Sequence, residues 1–99
     1  MKAYEVLLML DPRLDDETRV ATVEKAEGLV AAGGGKVDRT DDWGKRALAY
    51  EINDLKEASY VLIDFTIDPT AIAEIDRVLR ITDPVVRYMI VRREDRDSK

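Results

Sequence analysis

Residues 43–67 contain two runs in which apolar and polar side chains alternate, and no other feature of the sequence limits the possible folds as strongly. An alternation with a period of two is typical of a strand that buries one face. The apolar positions of the first run are Leu48, Tyr50 and Ile52. Those of the second run are Val61, Ile63, Phe65 and Ile67. Residues 53–56 between the runs are typical of a polar turn, so we predict a long β-hairpin.

Two further strands are predicted, one near each end of the chain. The first has apolar side chains on both faces: Val6, Leu8 and Leu10 on one, and Leu7 and Met9 on the other. A strand of this kind is typical of the middle of a sheet. The last strand is expected over residues 85–91, where Arg87 interrupts an apolar run that follows Pro84.

Two segments have the spacing of amphipathic helices. The first is expected to start at an Asp15 or Asp16 cap and to extend for about 17 residues, up to the three glycines at 33–35. Its predicted buried positions are Val20, Val23, Ala26 and Val30. The second is expected to start with Asp68 as its cap and Pro69 as its first helical residue. Its predicted buried positions are Ile72, Ile75, Val78 and Leu79.

The order strand, helix, strand, strand, helix, strand predicts an α+β protein with the ferredoxin-like βαββαβ topology. In this topology a four-stranded antiparallel sheet carries both helices on one face. We expect a single domain over residues 1–94 and a disordered tail over residues 95–99. Tyr60 and Leu62 are out of phase with the apolar side chains of the third strand. They are therefore expected on the uncovered face, where a partner would bind.

The composition excludes several classes of function. The 99 residues include no cysteine and no histidine, so disulfides, the usual zinc sites, thiol nucleophiles and serine–histidine triads are ruled out. We therefore expect no catalytic residues, no metal, no cofactor and no small-molecule substrate. The amino terminus does not resemble a signal peptide, and no apolar run is long enough to span a membrane. A cytoplasmic protein without a membrane partner is the expectation.

Charge is distributed unevenly along the chain. The net charge is −5, yet residues 77–99 carry seven cations and four anions. Arg92 and Arg93 in this segment, and Lys2 at the amino terminus, are candidate contacts to RNA or to a partner. Arg46 and Arg87 each interrupt an apolar strand, which has a desolvation cost unless the guanidinium meets a carboxylate, a phosphate or water. Contact with a partner and an internal pair with a carboxylate such as Glu5 or Asp64 are the two alternatives. These alternatives remain open from the residues alone.

Trp43 and Gly44 precede Arg46 in the second strand. A glycine inside a strand indicates a bulge, and we interpret the tryptophan before it as a packing residue rather than as a platform for a base.

Residues 44–52, with the sequence GKRALAYEI, resemble the hallmark of the bacterial ribosomal protein S6 family of the small subunit. Similarity continues in residues 4–12 and 79–87, although Ala47 stands where relatives usually carry a polar residue. The resemblance implies a ferredoxin-like fold, binding to small-subunit ribosomal RNA, and a heterodimer with ribosomal protein S18. Carried over by position, Arg46 is the basic residue of the hallmark and Arg87 is the arginine of the last strand.

Other classes of protein share this topology. An RNA-recognition motif would need stacking aromatic residues on its central strands, and Tyr60 is the one good candidate on the third strand. A small dimeric enzyme would need a histidine or a buried polar cluster, and a ligand-sensing domain would usually be attached to a second domain. These remain the alternatives to a structural protein of the ribosome.

Overall fold

The computed structural model describes residues 1–52 and 54–96, so Asn53 of the predicted turn and residues 97–99 of the predicted tail lie outside it. Its strands and α-helices are β1 (Lys2–Leu10), α1 (Asp16–Ala32), β2 (Lys36–Ile52), β3 (Leu55–Ile67), α2 (Ile72–Arg80) and β4 (Val85–Arg92). The sheet has the order β2-β3-β1-β4, and every neighbouring pair is antiparallel. The predicted ferredoxin-like architecture is confirmed.

The core lies between one face of the sheet and the two helices. β1 and β3 supply alternate residues to it, and α1 and α2 cover these residues. Phe65 is fully buried and stacks on Tyr4, with 5.8 Å between the ring centroids. The predicted inward face of β3 is confirmed in full: Val61, Ile63, Phe65 and Ile67.

α1 begins and ends as predicted, but one of its predicted core positions is wrong. The Asp15 carboxylate accepts a hydrogen bond from the Thr18 amide and caps the helix. Val20 is 47% exposed, whereas Thr22 is buried. The Thr22 hydroxyl donates to the Thr18 carbonyl at 2.8 Å, and this bond lowers the cost of burying the hydroxyl.

The second helix starts one turn later than predicted. Asp68 and Pro69 instead open a short 3-10 helix, Pro69–Ala71, in which the Asp68 carboxylate accepts from the Thr70 amide. In α2 itself, Ile75 and Leu79 are buried as predicted, and Ile72 and Val78 are half-buried. A second short 3-10 helix, Glu94–Arg96, follows β4 and includes the first two residues of the predicted tail.

The β2–β3 hairpin is longer than the rest of the sheet. The last pair between β1 and β3 is Leu10 with Ser59, whereas β2 and β3 remain paired as far as Ile52 and Leu55. The hairpin tip, which we define as residues 47–52 and 54–57, therefore projects beyond the other strands. For this reason Tyr50, which is predicted on the buried face of its strand, is 63% exposed. Leu55 and Lys56 of the predicted turn belong to β3.

Candidate functional site

The face of the sheet opposite the helices is uncovered in the part of the chain that the structure describes. We call this surface the open face. Its side chains on β1, β3 and β4 include Glu5, Leu7, Met9, Tyr60, Leu62, Asp64, Arg87, Met89 and Val91. Leu7 lies between Leu62 and Met89 in the register, and Met9 lies between Tyr60 and Arg87. Tyr60 and Leu62 lie on this face, as the alternation of side chains in β3 predicts.

The middle of the open face is apolar, and the carboxylates of Glu5 and Asp64 lie opposite each other at the end away from the hairpin tip. Met89 and Val91 are 44% and 40% exposed, and Leu7 and Leu62 are half-buried. An apolar patch of several adjacent side chains is typical of an interaction surface rather than of an inert one. This broad apolar patch therefore suits contact with a macromolecular partner.

One end of the open face forms a groove of about 220 Å³ beneath the hairpin tip. Its lining includes Leu48, Ala49 and Tyr50 from the tip, and Met9, Tyr60, Arg87 and Met89 from the sheet. Arg87 Nη1 donates a hydrogen bond to the Tyr50 hydroxyl at 2.9 Å. Among the ion pairs of the described residues, none involves Arg87 or Arg46. The predicted alternative of an internal ion pair with Glu5 or Asp64 is therefore wrong for both arginines.

An aromatic cluster lies beside this groove. The Trp43 ring stacks on Tyr60 with 6.2 Å between centroids and 11° between planes, and the Arg46 guanidinium lies 5.6 Å from the Trp43 ring centroid. Gly44 has a φ of 76° and the register of β2 shifts there, which confirms the predicted bulge. The bulge lets Trp43 reach the open-face residue Tyr60. The sequence predicts the bulge and the packing role of Trp43, but it does not predict the contact between Trp43 and Arg46.

The remaining candidate cations lie outside this groove and this aromatic cluster. Arg93 pairs with Glu5 and Asp95. The hydrogen bond from its guanidinium to Asp95 raises the pKa of Arg93 most, and the bond to Glu5 raises it further. Arg92 lies opposite Tyr4 in the register, with its guanidinium 5.8 Å from that ring. Lys2 lies opposite Ile67, in phase with the helix side of the sheet. The structure thus brings Arg46, Tyr60, Leu62 and Arg87 together and places Arg93 beside Glu5 at the other end of the open face. Lys2 and Arg92 are in phase with the helix side of the sheet.

The described residues contain no group of three or more potential ligands that could hold a metal ion. No helix in residues 1–52 and 54–96 has both the length and the apolar character needed to cross a lipid bilayer.

The fold and the site together define a two-layer α+β binding module whose candidate site is an exposed sheet surface rather than a catalytic cleft. Comparison with known proteins gives the family. The model of the family described as ribosomal protein S6 matches residues 3–92, and the chain belongs to this family.

Individual relatives agree over nearly the whole chain. The small ribosomal subunit protein bS6 of Clostridium kluyveri is 51% identical over 94 residues, which cover 95% of this chain and 99% of that protein. The bS6 protein of Clostridium beijerinckii is 47% identical over 91 residues, which cover 92% of this chain and 96% of that protein. The crystal structure of 30S ribosomal protein S6 from Thermotoga maritima superposes with a TM-score of 0.91 at 29% identity, covering 95% of this chain and 89% of that one.

Membership of this family makes the chain a protein of the small ribosomal subunit, in the cytoplasm, and not an enzyme. Family membership therefore rules out the three alternatives: a small dimeric enzyme, a ligand-sensing domain and an RNA-recognition motif.

Proposed function

We propose that this chain binds small-subunit ribosomal RNA as a heterodimer with ribosomal protein S18, and that the open face is its contact surface for that partner. The observation that carries the proposal is the apolar centre of the open face, with the Arg87 guanidinium at one end and the Glu5 and Asp64 carboxylates at the other. Burial of this apolar centre favours association, and the arginine supplies a directional contact to a carboxylate or a phosphate.

The charge of the chain supports a joint mode of RNA binding. Nonspecific affinity for RNA increases with the number of cations that neutralise phosphates. This chain has 16 cations and 21 anions, so most of that attraction must come from elsewhere. A basic partner would supply it, and the acidic chain would in turn attract the partner.

Two kinds of contact are proposed for the predicted residues. Tyr60 and Leu62 contribute apolar surface to the protein interface. Arg46 and Arg87 lie beside them, and their guanidinium groups suit either a partner carboxylate or an RNA phosphate. Lys2, Arg92 and Arg93 stay candidates for RNA contacts outside the groove of the open face.

The test is a single charge placed on the open face. Met89→Asp changes a side chain that is 44% exposed, and Ile81→Asp changes one that is 67% exposed at the end of α2, away from the open face. Binding of each variant to purified S18 is measured by calorimetry. We expect Met89→Asp to weaken the complex by at least about tenfold, because the new carboxylate would be desolvated, while Ile81→Asp binds normally. Equal binding by both variants would exclude the open face as the contact surface.

A further inference from the structure

A second groove lies on the opposite side of the sheet, between α1 and β2. Its volume is about 290 Å³. Its lining comes from both elements and from β3: Arg19, Val20, Val23, Glu24, Glu27, Thr40, Asp42 and Val61. We call it the α1–β2 groove. It shares no lining residue with the groove of the open face, so the two can be occupied at the same time.

The floor of the α1–β2 groove is apolar. Val61 is fully buried beneath it, Val23 is half-buried, and Val20 is 47% exposed. Val20 has the spacing of a core residue, yet the rotation of α1 that buries Thr22 leaves it at the groove. An aliphatic side chain inserted from a partner would remove apolar area of both molecules from water.

The rim of the α1–β2 groove is acidic. Three carboxylates and one guanidinium line the groove, so its formal charge is −2. That guanidinium belongs to Arg19 and already binds Asp42, with Asp16 at 3.9 Å. Glu27 accepts a hydrogen bond from the Thr40 hydroxyl at 2.5 Å, which holds the two walls together. Glu24 is exposed to solvent. Such a rim repels phosphate and attracts cations.

We infer that the α1–β2 groove is a docking site for a basic protein segment, which inserts one branched aliphatic side chain between Val20 and Val23 and places lysine or arginine residues against the rim carboxylates. The apolar floor selects the inserted side chain, and the acidic rim selects its neighbours and excludes RNA. This inference does not depend on S18 at the open face. The chain would then bridge two neighbours from opposite sides of one sheet.

The test uses a defined probe and the whole chain. The acetylated, amidated peptide Lys-Lys-Leu-Lys-Lys is titrated into isotope-labelled protein, and amide shifts are followed by NMR. We expect saturable shift changes confined to residues 19–27, 40–42 and 61. Replacing the peptide leucine by serine should weaken binding about tenfold, because the apolar contribution is lost.

Two matched variants separate the groove from general charge effects. Val20→Lys puts a cation into the groove and should weaken peptide binding about tenfold or more. Ile81→Lys adds the same charge at the end of α2, at a side chain that is 67% exposed and lines neither groove, and should reduce binding by no more than about twofold. Glu24→Gln, which removes one rim charge without changing shape, should weaken binding and serves if Val20→Lys does not fold.

Three results would overturn the inference. One is the absence of shift changes at about 1 mM peptide, since a weaker contact would have no role in assembly. Another is equal binding of the leucine and serine peptides, which would mean attraction by charge alone. The third is an equal effect of the lysine substitutions at positions 20 and 81.

Discussion

Arg87 and Tyr50 are joined by a hydrogen bond that spans the open face. Arg87 lies on β4 and Tyr50 on β2, which are the two edge strands of the sheet, and the donor and acceptor are 2.9 Å apart. The bond is possible because the tip of the β2–β3 hairpin projects beyond β1. It closes one end of the groove and orients the guanidinium before any partner arrives. Both side chains are exposed, so the bond contributes little to folding.

Arg87→Ala is expected to leave folding intact and to impair assembly. The free energy of unfolding in urea should change by no more than about 0.5 kcal/mol, because an exposed cation is removed. Binding to S18 and ribosomal RNA should lose about 2 to 5 kcal/mol if the guanidinium forms a desolvated charge pair there. Tyr50→Phe is the matched control, since it removes only the internal bond and should have a smaller effect. A variant that unfolds easily yet assembles normally would show that Arg87 serves the fold.

Arg93→Ala is expected to behave in the opposite way. Its guanidinium pairs with Glu5, whose side chain is only 19% exposed, and its amide donates to the Ala3 carbonyl. Truncation leaves the Glu5 carboxylate without this partner, so the midpoint of urea unfolding should fall. Arg92→Ala, one residue earlier and exposed, should shift the midpoint less. Equal midpoints for the two variants would contradict a structural role for the Arg93 pair.

Two glycine substitutions should have opposite effects on stability. A Cβ at Gly35 would lie 2.6 Å from the Thr66 carbonyl oxygen and 2.7 Å from Ile67 Cγ1, so Gly35→Ala should cost about 1 to 3 kcal/mol of unfolding free energy. Nothing lies within 4 Å of the corresponding position at Gly28, which is inside α1. Gly28→Ala should stabilise by about 0.5 to 1 kcal/mol because alanine favours the helix. Calorimetric melting of both variants measures the change in stability. A Gly35→Ala variant as stable as the unmodified protein would be inconsistent with the close packing around Gly35.

Tyr88→Phe should destabilise the protein in a manner that depends on pH. The Tyr88 hydroxyl donates to Asp76 Oδ1 at 2.6 Å and, together with Arg80, lowers the pKa of Asp76 below its ordinary 3.8. A carboxylate with a lowered pKa stabilises the folded state above its unfolded pKa, and this contribution is lost as the pH falls through the folded value. At neutral pH we expect a lower midpoint of urea unfolding, because the hydrogen bond from the hydroxyl to the carboxylate is lost. The difference from the unmodified protein should shrink below about pH 4, and a difference that is constant down to pH 2 would contradict this origin.

The sequence predicts the buried face of β3 well, because a period of two with β-branched side chains admits only one strand phase there. It does not predict the rotation of α1. Residues 20 and 22 both border the apolar arc of a helix, and the choice between them depends on a hydroxyl that finds a backbone acceptor within the helix. Helical periodicity contains no information about that bond.

Contacts across long separations were also missed. Glu5 and Arg93 are 88 positions apart, and only the pairing of β1 with β4 brings them together. The exposure of Tyr50 also depends on distant parts of the chain. The alternation in β2 is the same whether or not β1 extends far enough to lie beside the hairpin tip. The cluster of Trp43, Tyr60 and Arg46 depends on the bulge at Gly44, whose presence the sequence indicates but whose direction it does not.

The most direct test of the proposed function is filter binding of small-subunit ribosomal RNA to the purified chain, alone and with S18, across a range of salt concentrations. We predict weak binding by the chain alone, because its net charge is −5, and tight binding when S18 is present. Tight binding of the chain without S18, at physiological salt, would contradict the joint mechanism.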